Sequence, residues 1–267
     1  MAYNSNVPTP FYHLSLAEDL LEHPDLPAGA RALLQAQRGA FLFGNTAPDV
    51  QVVSGQGREE THFFDLPLRR GKQPPWEEML FKYPNLGSVE RNSPAQAAFL
   101  TGYLCHLQAD WLWVKEIFVP VFGLRSAWEN FPRRLYLHNV LRSYLDRQIY
   151  PGLTNGTCTH LWRVEPAGWL PFVQDGHLRQ WRNVLTDQLK PTAAAQTVEV
   201  FAARQGIPAR EFYRMINSED EMDRDIFSHI PREALGDYRL ALMDHSIQLI
   251  ATFLQRREQP GLQEVPL

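Results

Sequence analysis

PAQAAFLTGYLCHLQADWLW, residues 94–113, decides the class of the fold, because its only formally charged side chain is Asp110. Ser93 before it suits a helix N-cap and Pro94 suits the first helical position, so the stretch predicts a helix over roughly 94–118. His106 and Asp110 are four residues apart and share a face of that helix about one turn apart. Around them stand Leu100, Tyr103, Leu104, Leu107, Trp111, Leu112 and Trp113. A carboxylate among such neighbours is costly unless it is paired or binds a metal. On the helix alone, two readings stay open: half of a zinc site, or a buried His–Asp hydrogen bond that satisfies both groups.

Outward from this helix, apolar spacing of helical period predicts further helices over 13–21, 28–43, 131–149, 173–189, 193–204, 208–217, 219–229 and 232–257. In the last of these, Leu240, Met243, Ile247, Ile250 and Leu254 form the expected apolar face. Residues 44–96 are rich in proline and glycine and read as long loops joined by a short helix near 76–82. Strand-type alternation is scarce. The expected fold is all-α, a single-domain multi-helix bundle with long loops. Residues 1–150 would form its core, and the C-terminal helices of 151–267 would pack into the same domain.

A chain of 267 residues with 44% hydrophobic content can bury a substantial core. Its formal net charge of −4 lacks the basic excess that phosphate neutralisation by a nucleic-acid binder favours. No signal-like start or membrane-length apolar run is visible, and Cys105 and Cys158 make no disulfide framework. A cytoplasmic location is expected.

Three more segments carry ligand-type residues. GNTAPDV holds Asp49 directly after a proline, THFFD holds His62, and His13 stands at the front of the first helix. His23, His160, His177, His229 and His245 lack comparable neighbours. Cys105 adjoins His106 but is turned about 100° away, as a packing residue would be. Phe63, Phe64, Trp76, Trp111 and Trp113 could line a pocket or fill the core.

FYHLSLAEDLL, AFLFGNTAPDV, REETHFFDLP, AAFLTGYLCHLQADWLW and LYLHNVLRSYLD, in that order, resemble the zinc-dependent phospholipase C family, whose fold is similar to that of the S1/P1-type nucleases. The resemblance implies an all-helical hydrolase of phosphodiester or phospholipid substrates carrying two or three zinc ions. It implies a first ion held by Asp49, His62, His106 and Asp110, with Asp49 doubling as the catalytic base. Asp110 would bridge to another ion held by His13 and the N-terminal amine, which falls on Ala2 if Met1 is removed. A remaining ion would take Glu116, where the family has a histidine, and His138. Four residues beyond His138 the family has an acidic ligand, whereas this chain has Arg142, a candidate for stabilising developing charge. Asp146 is the nearest carboxylate on that helix, about 12 Å along the axis from His138. A second reading follows from that altered site: a catalytically reduced relative serving as a metal-stabilised binding or structural protein.

Overall fold

The computed structural model describes residues 7–66, 68, 72–88, 91–123, 130–153 and 156–258, and every regular element among them is a helix. The chain opens with α1 (Pro10–Glu22), α2 (Ala28–Ala36) and α3 (Arg38–Gly44). A 3₁₀ turn at Ala47–Val50 leads into α4 (Gln51–Ser54), then α5 (Arg58–His62), α6 (Pro75–Lys82) and a second 3₁₀ turn at Pro84–Gly87. Next come α7 (Pro94–Trp113), α8 (Phe131–Leu153), α9 (Thr157–Trp162), α10 (Asp175–Gln188), α11 (Thr197–Gln205) and α12 (Ala209–Ile216). Helix α13 (Glu219–Met222) and the long α14 (Arg232–Glu258) finish the described chain.

Local chemistry sets the ends of these helices. Thr9 caps α1 by accepting from the Tyr12 backbone N–H, and Ser93 caps α7 by accepting from the Gln96 N–H, each with proline in the first turn. The helix expected to run on to 118 changes character at Val114 and continues as a π-helix through Phe122, with Pro120 inside it. The single helix expected over 28–43 is broken at Gln37, which leaves α-helical geometry between α2 and α3.

Residues 44–96 correct the sequence reading most. Instead of loops around one helix, they hold short helical pieces at 47–54 and 58–62 besides α6. Pieces of four or five residues are too short to show a hydrophobic period, so only tertiary packing reveals them. On α14 the expected Met243, Ile250 and Leu254 are buried and Ile247 is half-buried, but Leu240 is 68% exposed and Tyr238, Leu242, Ser246 and Phe253 join the buried stripe.

Helix α7 lies at the centre, with all but one side chain from Ala97 to Trp113 buried. Because it is apolar on every side, it must be surrounded. α3 packs against it, and the approach is close enough to require glycine at two places. A Cβ on Gly44 would stand 2.0 Å from Phe99 O, and one on Gly102 would stand 2.2 Å from Phe41 O. On another side α14 is tied to α7 by Tyr238 Oη donating to Ala109 O at 3.0 Å and Ser246 Oγ donating to Gln108 Oε1 at 3.1 Å. The main cluster of buried apolar side chains runs from Phe11 to Leu254, so the C-terminal helices contribute to the same core as α1 and α7.

Gly102→Ala is expected to force α3 off α7 and to cost about 1–3 kcal/mol of stability by overpacking. A chemical-denaturation midpoint measures this, and an unchanged midpoint would contradict the close packing described.

Candidate metal centre

Four helical pieces, α7 itself among them, bring polar side chains together at the middle of α7. His106 and Asp110 come from α7 itself, His13 from the first turn of α1, Asp49 from the 3₁₀ turn after α3, and His62 and Arg58 from the two ends of α5. Two ligand-type groups emerge, His13/His106/Asp110 and Asp49/His62/His106, each with one donor atom per residue lying within 4.8 Å of the others.

Around His62 and His106 the donor atoms lie at spacings that a bound ion's ligands have. His62 Nε2 stands 3.3 Å from His106 Nε2, 3.5 Å from Asp49 Oδ1 and 3.5 Å from Asp110 Oδ2. His106 Nε2 stands 3.5 Å from Asp110 Oδ2. Bonds of about 2.0–2.2 Å put neighbouring ligand atoms of tetrahedral zinc about 3.3–3.6 Å apart. The donor set fits zinc in its chemistry too, with two imidazoles and two carboxylates and no need of a thiolate.

The outer nitrogens fix which way the imidazoles face. His106 Nδ1 lies 2.8 Å from Asn45 O, which can only accept, so that nitrogen carries a proton. Thr61 Oγ1 donates to Arg58 O at 3.3 Å, which leaves it to accept from His62 Nδ1 at 3.0 Å. Both Nε2 lone pairs therefore point into the cluster, the arrangement seen when imidazole binds metal. The carriers of these partners are fixed in turn. Tyr103 Oη donates to Thr61 O at 2.6 Å, and Trp181 Nε1 donates to Thr46 O at 2.8 Å, beside the turn that bears Asp49. Phe63, directly after His62, takes a left-handed backbone with φ of 60° and packs on Phe172 and Tyr83. A non-glycine residue there is strained, and the aromatic contacts hold it.

His13 completes the other face. Its ring stacks on His106 with centroids 3.8 Å apart, and its Nε2 stands 3.2 Å from Asp110 Oδ1. His13, His106 and Asp110 form the other ligand-type group, and among the described residues no hydrogen bond fixes which His13 nitrogen carries the proton. The N-terminal amine expected beside His13 lies outside the described residues.

Electrostatics follow burial and charge. Burial pushes the His62 imidazole down to about 4, with the Arg58 charge adding to the shift. Burial lowers His13 as well, and His106 nearby adds to it. For Asp110 burial alone would raise the carboxyl, but His106, His13 and Arg58 together hold it well below the usual range. Burial would likewise lower His106, yet Asp110 outweighs it and raises this one imidazole.

Arg58 was not singled out by sequence reasoning. Its Nη2 donates to Asp110 Oδ2 at 2.6 Å, and its guanidinium lies 4.9 Å from the Phe64 ring centroid. It sits in a segment that reads as loop, and the only signal available was its place four residues before His62, on the same face of what proves to be a short helix.

Two expected ligands are not brought to this cluster. Glu116 is exposed on the π-helical continuation of α7. His138 is fully buried elsewhere, its Nε2 accepting from Trp113 Nε1 at 3.0 Å, with the rings of Phe118 and Phe122 packed around it. Burial pushes that imidazole well down, with Arg142 adding to it, so it stays a neutral acceptor. Arg142, the candidate for stabilising charge, is buried too. It donates to Val7 O at 2.6 Å and to Asn139 Oδ1 and lies over the Phe201 ring. Asp146 accepts from Thr9 and Thr197, and burial raises its carboxyl to about 7. Cys105 is buried and its thiol pushed up to about 12, as befits packing.

The family sequence model "Zinc dependent phospholipase C" matches residues 12–113. The matched segment contains His13, Asp49, Arg58, His62, His106 and Asp110, and it ends before Glu116 and His138. Residues 12–113 are thus similar to the zinc-dependent phospholipase C family, and the all-helical architecture is consistent with the phospholipase C/P1 nuclease-like fold. No curated protein and no solved structure matches the chain. The family match and the two His/Asp groups support a zinc phosphoesterase in general terms. Among the described residues, no helix is long and apolar enough to cross a membrane.

Asp110→Asn removes the carboxylate that both ligand groups face and is expected to weaken zinc binding at least about a hundredfold. Competition against a chromophoric chelator measures this, and unchanged affinity in the variant would contradict the assignment.

Proposed function

We propose that the chain is a zinc-dependent phosphoesterase that hydrolyses a phosphodiester, with a phospholipid the substrate class the family match favours. The observation that carries this reading is the buried convergence of His62 Nε2, His106 Nε2 and Asp110 Oδ2, 3.3–3.5 Å from one another, with Asp49 Oδ1 3.5 Å from His62 Nε2. Zinc bound there would supply Lewis acidity and lower the pKa of a bound water toward neutrality. His62, His106 and Asp110 would hold it, with His13 and the other oxygen of Asp110 offering the start of a second position.

Asp49 is the natural base. The side chains of His13, His62, His106 and Asp110 are 0% exposed, whereas Asp49 is 7% exposed, so its carboxylate alone among the ligand-type groups meets solvent. Burial would raise its pKa, but the His62 contact and the charge of His106 more than offset it and keep Asp49 ionised at neutral pH. It can therefore take a proton from the attacking water. The water oxygen bonds to phosphorus, the bond from phosphorus to the leaving alcohol oxygen breaks, and that oxygen is protonated from solvent.

A second reading has one observation in its favour. Glu116 is exposed, and the Nε2 of His138 is taken by Trp113. A relative that had lost one ion in this way could keep the remaining metal for stability alone.

The test is turnover of zinc-loaded protein on bis(p-nitrophenyl) phosphate and on phosphatidylcholine in mixed micelles. Hydrolysis should disappear with chelator, return with zinc, and fall about 10²- to 10⁴-fold in Asp49→Asn. A zinc-replete protein inert on phosphodiester, phosphomonoester and phospholipid alike would favour the structural reading instead.

A further inference from the structure

The guanidinium of Arg58 has more donors than its surroundings use. Nη2 is committed to Asp110 Oδ2 at 2.6 Å, while Nε and Nη1 are buried and, among the described residues, have no hydrogen-bond partner. Unsatisfied donors on a charged group are among the most costly features a protein interior can hold. The side chain is nevertheless held in place, with Asp110 on one side and the Phe64 ring beneath it. It is also 13% exposed, which makes it, with Asp49, one of the two charged groups through which the cluster meets solvent.

The charge count points to what those donors are for. With its imidazoles neutral, the cluster holds two carboxylates and one guanidinium, a net charge of minus one. One divalent ion would turn it to plus one. A site of that sign, with guanidinium N–H groups in its wall that no described residue accepts from, matches the oxygens of a phosphoryl group and the negative charge that grows on them as phosphorus is attacked.

We propose that Arg58 is the phosphoryl-binding residue of this site and supplies the positive charge that an ion at Glu116 and His138 would otherwise bring. The proposal rests on the phosphoesterase reading for its catalytic half. Its binding half stands on the unfilled donors and the charge of the pocket.

The experiment compares wild type, Arg58→Gln and Arg58→Lys, each loaded with zinc to the same measured content, with inorganic phosphate titrated in a calorimeter. The Gln variant is expected to bind phosphate about ten- to a hundredfold more weakly, the worth of one or two charge-assisted hydrogen bonds. The Lys variant should fall between, since it keeps the charge but not the planar guanidinium. Added methylguanidinium should restore part of the affinity in the Gln variant. Zinc affinity should be unchanged or tighter in both, because a cation competing for Asp110 Oδ2 has been removed or moved. Phosphate affinity within twofold of wild type in the Gln variant would overturn the proposal. So would weaker zinc binding that accounts for all the loss of phosphate, the mark of a merely structural arginine. A wild-type protein that binds phosphate through Arg58 but turns over no phosphoester would sink the enzymatic reading and leave the anion site standing.

Discussion

The Asp110 carboxylate is buried without exposure in the middle of an apolar helix, and much of the rest of the structure answers the cost of putting it there. An isolated ionised carboxylate in such a place is prohibitive, so cationic or protonated partners must converge on it. Oδ1 faces His13 from α1, and Oδ2 faces His62 and Arg58 from α5 and His106 from one turn back on α7. Two separate elements, α1 and α5, thus have to arrive at one turn of α7 for the chain to fold without an uncompensated charge. The folding constraint and the metal-binding constraint are the same constraint.

The helices around α7 act mainly to aim these groups. Glycine at 44 and 102 brings α3 near enough for Asn45 O to fix the proton of His106 on the outer nitrogen. Tyr103, also on α7, reaches Thr61 O and so places the segment whose Thr61 hydroxyl fixes His62. The C-terminal half contributes through Trp181, which grips Thr46 O three residues before Asp49. These partners set ring orientation and tautomer before any ion arrives, which lowers the reorganisation that binding would need.

The sequence makes one part of this plain and hides another. The charge-poor run of 94–113, with its Ser93-Pro94 start, announces a buried helix, and the spacing of His106 and Asp110 announces a shared face. The partners were legible only through family resemblance, because Asp49 and His62 lie on helical pieces of four or five residues that carry no periodic signal. Arg58 escaped for the same reason. Its importance depends on α5 turning it onto the His62 face and on Phe63 adopting a left-handed backbone that ends the helix there. Glu116 and His138 were ligands by family resemblance alone, and here Glu116 is exposed on the π-helical segment while an indole N–H donates to the Nε2 of His138.

Zinc held by imidazole nitrogens and carboxylate oxygens around Asp110 has a definite signature in the zinc K-edge X-ray absorption spectrum of the metal-loaded protein. The expected spectrum shows a shell of nitrogen and oxygen atoms at about 2.0–2.1 Å, outer-shell scattering from imidazole rings and no sulfur. A sulfur shell at about 2.3 Å, which would implicate Cys105 or Cys158, or a spectrum without imidazole scattering, would contradict this ligand set.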